Sequence, residues 1–460
     1  LNDIIDLKTV DNLGVLVSFC TAELASERTG ITVKNIKDLA SKFAKSKSAV
    51  CYGRLGVSTV KYGSLSQWAI NVINILTGNF DRKGGAMFPE PAFDSIKGKK
   101  MSPKFGRWKS RVRALPEYGG ELPSATLAEE ILTPGEGQIR ALFTNCGNPI
   151  LSTPNGQQLD KAFEKLDLMI SIDIYINETT QHADYILPPA AGLEVAHFDI
   201  AFNNLAIRNT VKYSDPIIPK EDGTLYDYEI FQGLMKSIEK DDALHDVKAQ
   251  QHRETMYNIT PQMMLDQVMK TGKYKLTVNK LRDHPHGIDL GPLMPNIRER
   301  LITPDKRIDL IPKIYANEIL KIKKDKPAHN DKLSLIGRRH LRSNNSWMHN
   351  SHRLVKGTLR CIALIHPYDA KIRGISTGDM IIVTSRVGEV KLPVEVTKSI
   401  AKGVISIPHG WGHDRNGVSL SIAKQHAGVS LNDLTDELLV EELTGVTILS
   451  GVPVEVALDI

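Results

Sequence analysis

The stretch "DMIIVTSRVGEVKLPVEV", Asp379 to Val396, decides what kind of domain ends this chain. Two short runs rich in β-branched residues, parted by a glycine turn, read as a pair of strands. The same texture recurs in "LRCIALI" (Leu359–Ile365) and "GVISIP" (Gly403–Pro408). Residues 333–460 are therefore expected to form a β-barrel or compact sandwich, an ordinary domain size of about 130 residues. The lysine-rich, proline-containing "KIKKDKPAHNDK" (321–332) marks the boundary in front of it.

Upstream the texture changes. Residues 141–188 read as an α/β unit: "ALFT" a strand, "NCGNP" a turn, "QQLDKAFEKLD" an amphipathic helix, "LMISID" the next strand. The loops Asn145–Pro149 and Asp173–Asp184 both follow strands, and ligands gather at the carboxyl ends of parallel strands. A bare sheet edge is the alternative. Earlier still, "GITVKNIKDLASKFAKSKSAVCYGRLG" (Gly30–Gly56) predicts a helix with Ile36, Leu39, Ala40 and Phe43 at helical spacing. A short buried strand, "AVCY", and a glycine loop through Gly53 and Gly56 should follow, the glycines letting backbone approach a ligand. A second helix carries Trp68, Val72, Ile75 and Leu76 on one face and stops where Gly78 can take a left-handed cap.

With 41% hydrophobic and 24% charged residues, the 460-residue chain is an ordinary globular protein of several domains. No apolar run reaches the roughly 18–20 residues of a membrane span. Cys20, Cys51, Cys146 and Cys361 are far apart and show no paired metal-ligand spacing, which excludes stapled secreted folds and zinc ribbons and favours a reducing compartment. The opening "LNDIIDLKTV" reads like the middle of a longer protein, with room for a leader upstream. Residues 97–113 hold eight basic side chains around Phe105 and Trp108. A nucleic-acid surface and a solvated or docking loop both fit them; without a nucleic-acid fold nearby the second is the reading taken.

Phosphate-loop, Rossmann, nucleophile-elbow and zincin motifs are all missing. What the chain has instead is a set of loops rich in Gly, Asn, Ser, Thr and His: "GRLG", "NCGNP", "NETTQHAD", "RSNNSWMHN" (Arg342–Asn350), "PHGWGH" (Pro408–His413) and "VSLNDLT" (Val429–Thr435). His409 and His413 stand four apart, but such a pair shares a face only on a helix, and this is a strand end. Hydrogen bonding to a large polar ligand is favoured over metal ligation. Taken together, the loops point to one big ligand met through neutral donors and acceptors, nucleotide-like or pterin-like.

In their order these loops resemble those of molybdopterin-dependent oxidoreductases of the dimethyl sulfoxide reductase and formate dehydrogenase superfamily. "LTGNFDRKGG", "TNCGNPILSTPN", "NETTQHADYILPPAAGLE" and "HPYDAKIRGISTGDMIIVTSRVGEV" with "PHGWG" carry the likeness in combination, over essentially the whole chain. The resemblance implies an α/β fold, parallel-sheet layers with helices on both faces, followed by a C-terminal double-psi β-barrel. It divides the chain into a remnant α/β domain (1–92), an α/β molybdopterin domain (93–332) and a dinucleotide-binding barrel (333–460). The implied cofactor is a bis-molybdopterin guanine dinucleotide with molybdenum or tungsten, in which the metal performs the redox step and the protein orients and tunes it.

By the same resemblance, Ser343, Asn345, Ser346 and His349 sit on a barrel loop that contacts the dinucleotide. His409, Trp411 and Gly412 lie on a second loop and Asn432 on a third. Gly53, Gly56, Gly147, Asn148, Asp173, Thr179, His182 and Asp184 fall on cofactor-facing loops of the α/β part. Trp347 and Met348 are expected to pack. Such side chains suit a guanine edge and a pterin, which present many fixed donors and acceptors, and glycine amides suit a pyrophosphate.

Two departures stand out. No cysteine cluster for an iron–sulfur centre is present, nor a position for the metal-ligating Cys, selenocysteine, Ser or Asp, so catalytic residues are not assigned. The chain is then a fragment or half of a split enzyme. Its expected partners are the upstream half, an electron-transfer subunit and a small-molecule substrate, with no nucleic acid and no membrane span, in the cytoplasm. Further, formate-oxidising members carry an arginine in an "RGQN"-like run after the double glycine, where this chain reads "AMFPEPAFD". Two other readings compete: a metal-free structural subunit of an electron-transfer complex, and a non-redox hydratase or transhydroxylase of the same superfamily.

Overall fold

The computed structural model describes residues 4–94, 105–238, 247–325 and 331–459. The chain divides into two compact units, one of residues 1–52, 68–101 and 188–325, the other of 53–67, 102–187 and 326–460.

The second unit holds every polar loop singled out above. Its carboxyl-terminal part is a closed barrel of six strands: Leu333–Arg338, Ala363–Ile365, Met380–Thr384, Glu389–Val396, Val404–Pro408 and Val452–Leu458. The order around the barrel is not the chain order. Leu333–Arg338 pairs in parallel with Val404–Pro408, and Ala363–Ile365 in parallel with Glu389–Val396, while the other neighbours run antiparallel. Side chains alternate across a strand, and burial follows: Val390, Leu392 and Val394 point inward from one strand, Val452, Val454 and Val456 from another. Leu335, Ala363, Ile365, Ile381, Val383, Ile405 and Ile407 fill the interior with no exposure to solvent.

The same unit carries a three-stranded parallel sheet, Ala141–Asn145, Leu168–Ile172 and Tyr185–Ile186 in that order. The helix Gly156–Phe163 joins the first two strands and buries Leu159, Ala162 and Phe163 against Ile131, Ile150 and Met169. Asn155 caps that helix, its side chain accepting from the Gln158 amide at 3.2 Å.

The first unit is mostly helical, with two two-stranded ribbons, His197–Phe198 with Tyr213–Ser214 and Asn209–Val211 with Ile288–Gly291. One core gathers Ile4, Ile5, Leu13, Val72, Ile75 and Phe80 around Ile297 and Leu310. Among the described residues no helix is long and apolar enough to cross a membrane.

Several local expectations hold. The helix Val33–Lys45 forms, Gly78 takes a φ of 69° after the helix that ends at Leu76, and the barrel strands Met380–Thr384, Glu389–Val396 and Val404–Pro408 follow the predicted runs, while "LRCIALI" is a strand only over Ala363–Ile365. Others are corrected. "AVCY" is not a strand: Cys51 bonds instead to the Asn74 side chain, its amide donating to Oδ1 at 2.8 Å and its carbonyl accepting from Nδ2 at 2.8 Å. A helix-borne carboxamide thus does what a neighbouring strand would do. Leu39 and Leu76 are exposed, at 68% and 51%, so the predicted helix faces are only partly covered among the described residues. Of the lysine-rich boundary, 321–324 end a helix, and 326–330 lie outside the described residues. The basic stretch is described only from Phe105, and there Arg107, Arg111 and Arg113 are ion-paired with Glu117, Glu130 and Glu129.

Truncating a buried branched side chain in a packed core costs about 2–5 kcal/mol. Ile405→Ala is expected to lower the stability of the barrel by an amount in that range. Denaturant unfolding followed by circular dichroism checks it.

Candidate functional site

Within the barrel unit one cleft is lined by Gly147, Asn148, Asp173, Ile174, Tyr175 and Asn177 from loops of the parallel sheet, and by Ser346, Trp347 and Asn350 from the loop that follows the first barrel strand. The sheet side is built by local hydrogen bonds. Asp173 Oδ1 accepts from the amides of Ile174 (2.7 Å) and Tyr175 (3.2 Å), and its Oδ2 from Asn177 Nδ2 at 3.1 Å. Burial nevertheless pushes the Asp173 carboxyl above its ordinary value, outweighing those bonds. Asn177 Oδ1 in turn takes the amides of Thr179 and Thr180, at 2.9 and 3.0 Å. Thr179 donates its hydroxyl to Asn148 Oδ1 at 2.7 Å, and Asn148 Nδ2 donates to Glu178 Oε2 at 2.7 Å. Asn148 is thereby held at both ends of its amide.

The barrel side depends on backbone conformation. Asn344 and Asn345 have φ of 42° and 62°, in the left-handed region that asparagine tolerates better than other side chains. Their turn lies against Gly410, whose φ is 90°; a Cβ there would stand 2.0 Å from the Asn345 carbonyl oxygen. Asn345 is exposed, and its Oδ1 accepts from the Arg339 guanidinium. Asn350 Oδ1 accepts from the amides of Ile422 (3.0 Å) and Ala423 (3.2 Å), fixing the far end of the loop. Trp347, expected to pack, is 52% exposed and walls the cleft.

Beneath the cleft runs a buried polar chain. The His349 ring stacks on Trp411, centroids 4.0 Å apart. His349 Nε2 meets Ser343 Oγ at 2.9 Å and its Nδ1 meets His413 Nε2 at 2.9 Å. His413 Nδ1 meets Glu178 Oε1 at 2.8 Å. Glu178 and His413 are 0% exposed and His349 1%. Burial opposes ionisation of Glu178, yet bonding and attraction from His413 hold its carboxyl below the ordinary value. Burial, with His413 beside it, pushes His349 down to about 3. Burial and the nearby Arg339 push His409 down to about 4.

The predicted residues therefore fall into groups. Gly147, Asn148, Asp173 and Ser346 line the cleft, with Thr179 directly behind Asn148. Ser343, His349 and Trp411 belong to the buried chain, and Gly412 lies so close to Ser430 that a Cβ would come within 2.8 Å of its Cβ. Asn432 ties the barrel to the sheet part, donating to the Leu151 carbonyl at 2.6 Å while accepting from Thr435 at 2.8 Å. His182 bonds Asp160 at 2.6 Å, and Asp160 leads through Arg415 to Asp433. Asp184 closes a backbone pairing with Met169. Gly53 and Gly56 lie on the segment 53–67 of the same unit, which meets the barrel through Thr59 and Ser64 rather than through the glycines.

Two residues at the centre of the arrangement, Glu178 and His413, were not among the predicted set. Both stand inside motifs quoted above, but the bond that joins them spans 235 positions and nothing local announces it. Among the described residues no group of three His, Cys, Asp or Glu side chains is placed to hold a metal ion.

The family model "Molybdopterin oxidoreductase" matches residues 5–236, half of the chain. The chain belongs to the molybdopterin oxidoreductase family. Residues 333–450 match the model "Molydopterin dinucleotide binding domain", which places the barrel as the dinucleotide-binding domain of the family. Similar proteins include the formate dehydrogenase subunit alpha of Methanocaldococcus jannaschii, 24% identical over 86% of this chain and 59% of its own length. The trimethylamine-N-oxide reductase of Haemophilus influenzae is 22% identical over 86% of this chain and 53% of its own. The assimilatory nitrate reductase catalytic subunit of Bacillus subtilis is 25% identical over 47% of this chain and 32% of its own. In fold the chain is similar to acetylene hydratase from Pelobacter acetylenicus, with a TM-score of 0.68 and 16% identity, over 97% of this chain and 66% of that one. The molybdopterin oxidoreductase chain thus spans from 32% to 66% of the length of these relatives.

Two outcomes follow from the geometry. Gly410→Ala should loosen the Asn344–Asn345 turn and raise proteolytic cleavage within 342–350, because the added Cβ and the positive φ both oppose the native backbone. For pH, the folded values of His349 and His409 lie below the ordinary 6.5, so the unfolded chain takes up protons that the folded one refuses. The contribution of these two rings to stability is then full above pH 6.5 and is lost as pH falls toward about 4 (His409) and about 3 (His349). The limiting slope is about 1.4 kcal/mol per pH unit for each histidine. Denaturation midpoints between pH 7.5 and 5 check this, and His349→Gln with His409→Gln should flatten the dependence.

Proposed function

We propose that this chain is the cofactor-holding portion of a molybdenum or tungsten oxidoreductase, acting on a small molecule, with two pterin guanine dinucleotides around the metal. The observation that carries the reading is the meeting of sheet loops and barrel loop on one narrow cleft, of about 30 Å³ in this structure, together with buried polar atoms without a partner on two further barrel loops. Trp411 Nε1 and Ser430 Oγ are buried and unbonded among the described residues, and Gly412 beside Ser430 has no room for a side chain. A buried donor without a partner is unfavourable by about 1–3 kcal/mol, which a ligand with fixed acceptors would recover. The same feature argues against a metal-free scaffold, which would have no reason to keep such donors.

Charge fits as well. From residue 332 to 368 the chain has seven Lys or Arg and not one Asp or Glu. Arg338, Arg339 and Arg342 of that stretch form no ion pair with a described carboxylate, and burial holds the Arg338 guanidinium below its ordinary value. An acid-free cationic strand end beside glycine turns suits a pyrophosphate. The interleaved strand order of the barrel, with its two parallel pairs, supports the double-psi reading.

When bound, the group supplies the redox centre. This chain's part is to hold it: Ser346, Asn148 and Gly147 offer donors and acceptors at the cleft, Asp173 shapes the sheet loop, and Asn345 and His409 face the dinucleotide from the barrel loops. His182, Asp184, Thr179 and Asn432 keep those loops in place, and the segment with Gly53 and Gly56 joins the same site. The three stretches 1–92, 93–332 and 333–460 are the functional portions. The iron–sulfur cluster, the metal-ligating residue and the electron partner belong to an upstream half or a separate subunit, in the cytoplasm. The relatives named above act on different substrates, so the proposal stops at the cofactor and its redox role.

Released-pterin fluorescence and metal analysis of the chain purified with its upstream half should give pterin together with molybdenum or tungsten. Finding neither would overturn the reading. Asn345→Ala with His409→Ala should lower retention several-fold, as should Trp411→Phe, which keeps one aromatic ring and removes the unbonded Nε1–H together with the second ring; full retention in these variants would count against the loop assignment.

A further inference from the structure

We propose that Glu178, His413, His349 and Ser343 form a buried store for one proton, which keeps three cofactor loops locked together in either of its two protonation states. The four side chains come from the sheet loop 177–184, the loop after the Val404–Pro408 strand, and the loop 342–350. Their contacts are 2.8, 2.9 and 2.9 Å, and none of the four is more than 4% exposed.

Two arrangements fill every contact. In the first, His413 is an imidazolium that donates Nδ1–H to the Glu178 carboxylate and Nε2–H to His349 Nδ1. His349 then carries its single proton on Nε2 and donates it to Ser343 Oγ. In the second, His413 keeps only Nδ1–H, its Nε2 accepts from His349 Nδ1–H, and His349 Nε2 accepts from the Ser343 hydroxyl. The two differ by one proton and by the tautomer of His349. The His413–His349 and His349–Ser343 contacts survive the change with donor and acceptor exchanged, and the Glu178–His413 contact is the same in both states, so all three contacts are kept.

The surroundings keep both states within reach. A buried carboxylate beside a neutral imidazole lacks a counter-charge, which favours the protonated state. Opposing it, His340 and Arg360 face His349, Arg338 bonds His340 at 3.3 Å, and Asn148 donates to the other oxygen of Glu178 at 2.7 Å, all of which favour the state with one proton fewer. His349 itself is held neutral, as a relay between two tautomers requires. The stack on Trp411 fixes its plane, so the ring can exchange protons but not turn away. One end of the chain bonds Asn148 at the cleft wall; the other is Ser343, at the start of the barrel loop.

The proposal rests on the cofactor reading only for what the store serves, and it is testable without the cofactor. The full chain, labelled with ¹⁵N-histidine and free of cofactor, is titrated by NMR between pH 5 and 9, with rings assigned through His349→Gln and His413→Gln. Expected is one histidine, His413, that gains and loses charge, while His349 stays neutral and changes tautomer at the same midpoint. Glu178→Gln should lower that midpoint by about one unit or more. A His349 that takes up charge by itself near pH 6.5, or that keeps one tautomer through the titration of His413, would overturn the proposal. Should a variant fail to fold, the wild-type spectrum still decides, because a ring that switches tautomer without charging has its own pair of ¹⁵N shifts. Pterin and metal retention, measured separately, stands or falls independently of this result.

Discussion

Glu178 has no access to water, and a carboxylate in that position must be bonded at both oxygens or give up its charge. Oε1 is met by His413 and Oε2 by Asn148. Those partners belong to different parts of the unit: Asn148 to the turn after a sheet strand, His413 to the loop after a barrel strand. Satisfying one carboxylate therefore sets the spacing of two loops. His413 then brings in His349 and with it the whole of 342–350. Much of what faces the cleft owes its placement to this single buried charge.

Around that constraint the rest is ordinary packing. The barrel supplies a dry interior of Leu, Ile and Val whose strand ends present the loops. Gly410 and Gly412 let backbone come against Asn345 and Ser430 at distances no side chain would allow. Arg415 between Asp160 and Asp433, and Asn432 on the Leu151 carbonyl, repeat the pattern of polar groups joining barrel to sheet. Such networks are firm while fully bonded and fragile once a member is lost, which suits loops that must hold a ligand in one orientation.

What could be read from the sequence was what is local. Runs of β-branched residues between glycines announced the barrel strands, and the "NCGNP" and "NETTQHAD" loops announced the sheet side of the cleft, because strand and turn preferences act over a few residues. Family resemblance brought the cofactor, and the family models agree with it. What stayed hidden was set by distant pairing. "AVCY" has the composition of a strand, yet its partner is the Asn74 side chain. His349 reads as a ligand contact, yet both its ring nitrogens are taken within the fold. Trp347 reads as packing, yet it walls the cleft. Glu178 gave no sign of burial, since a glutamate in a polar loop is exposed far more often than not.

Under the proposed function, several separated loops act as one cofactor surface. Hydrogen exchange of the chain with and without its pterin dinucleotide, read peptide by peptide, examines that claim at its root. Protection should rise together in 145–149, 173–182, 342–350, 409–413 and 428–433, and leave the outer barrel strands unchanged. Protection confined to one of these segments, or rising elsewhere while they stay as they were, would contradict it.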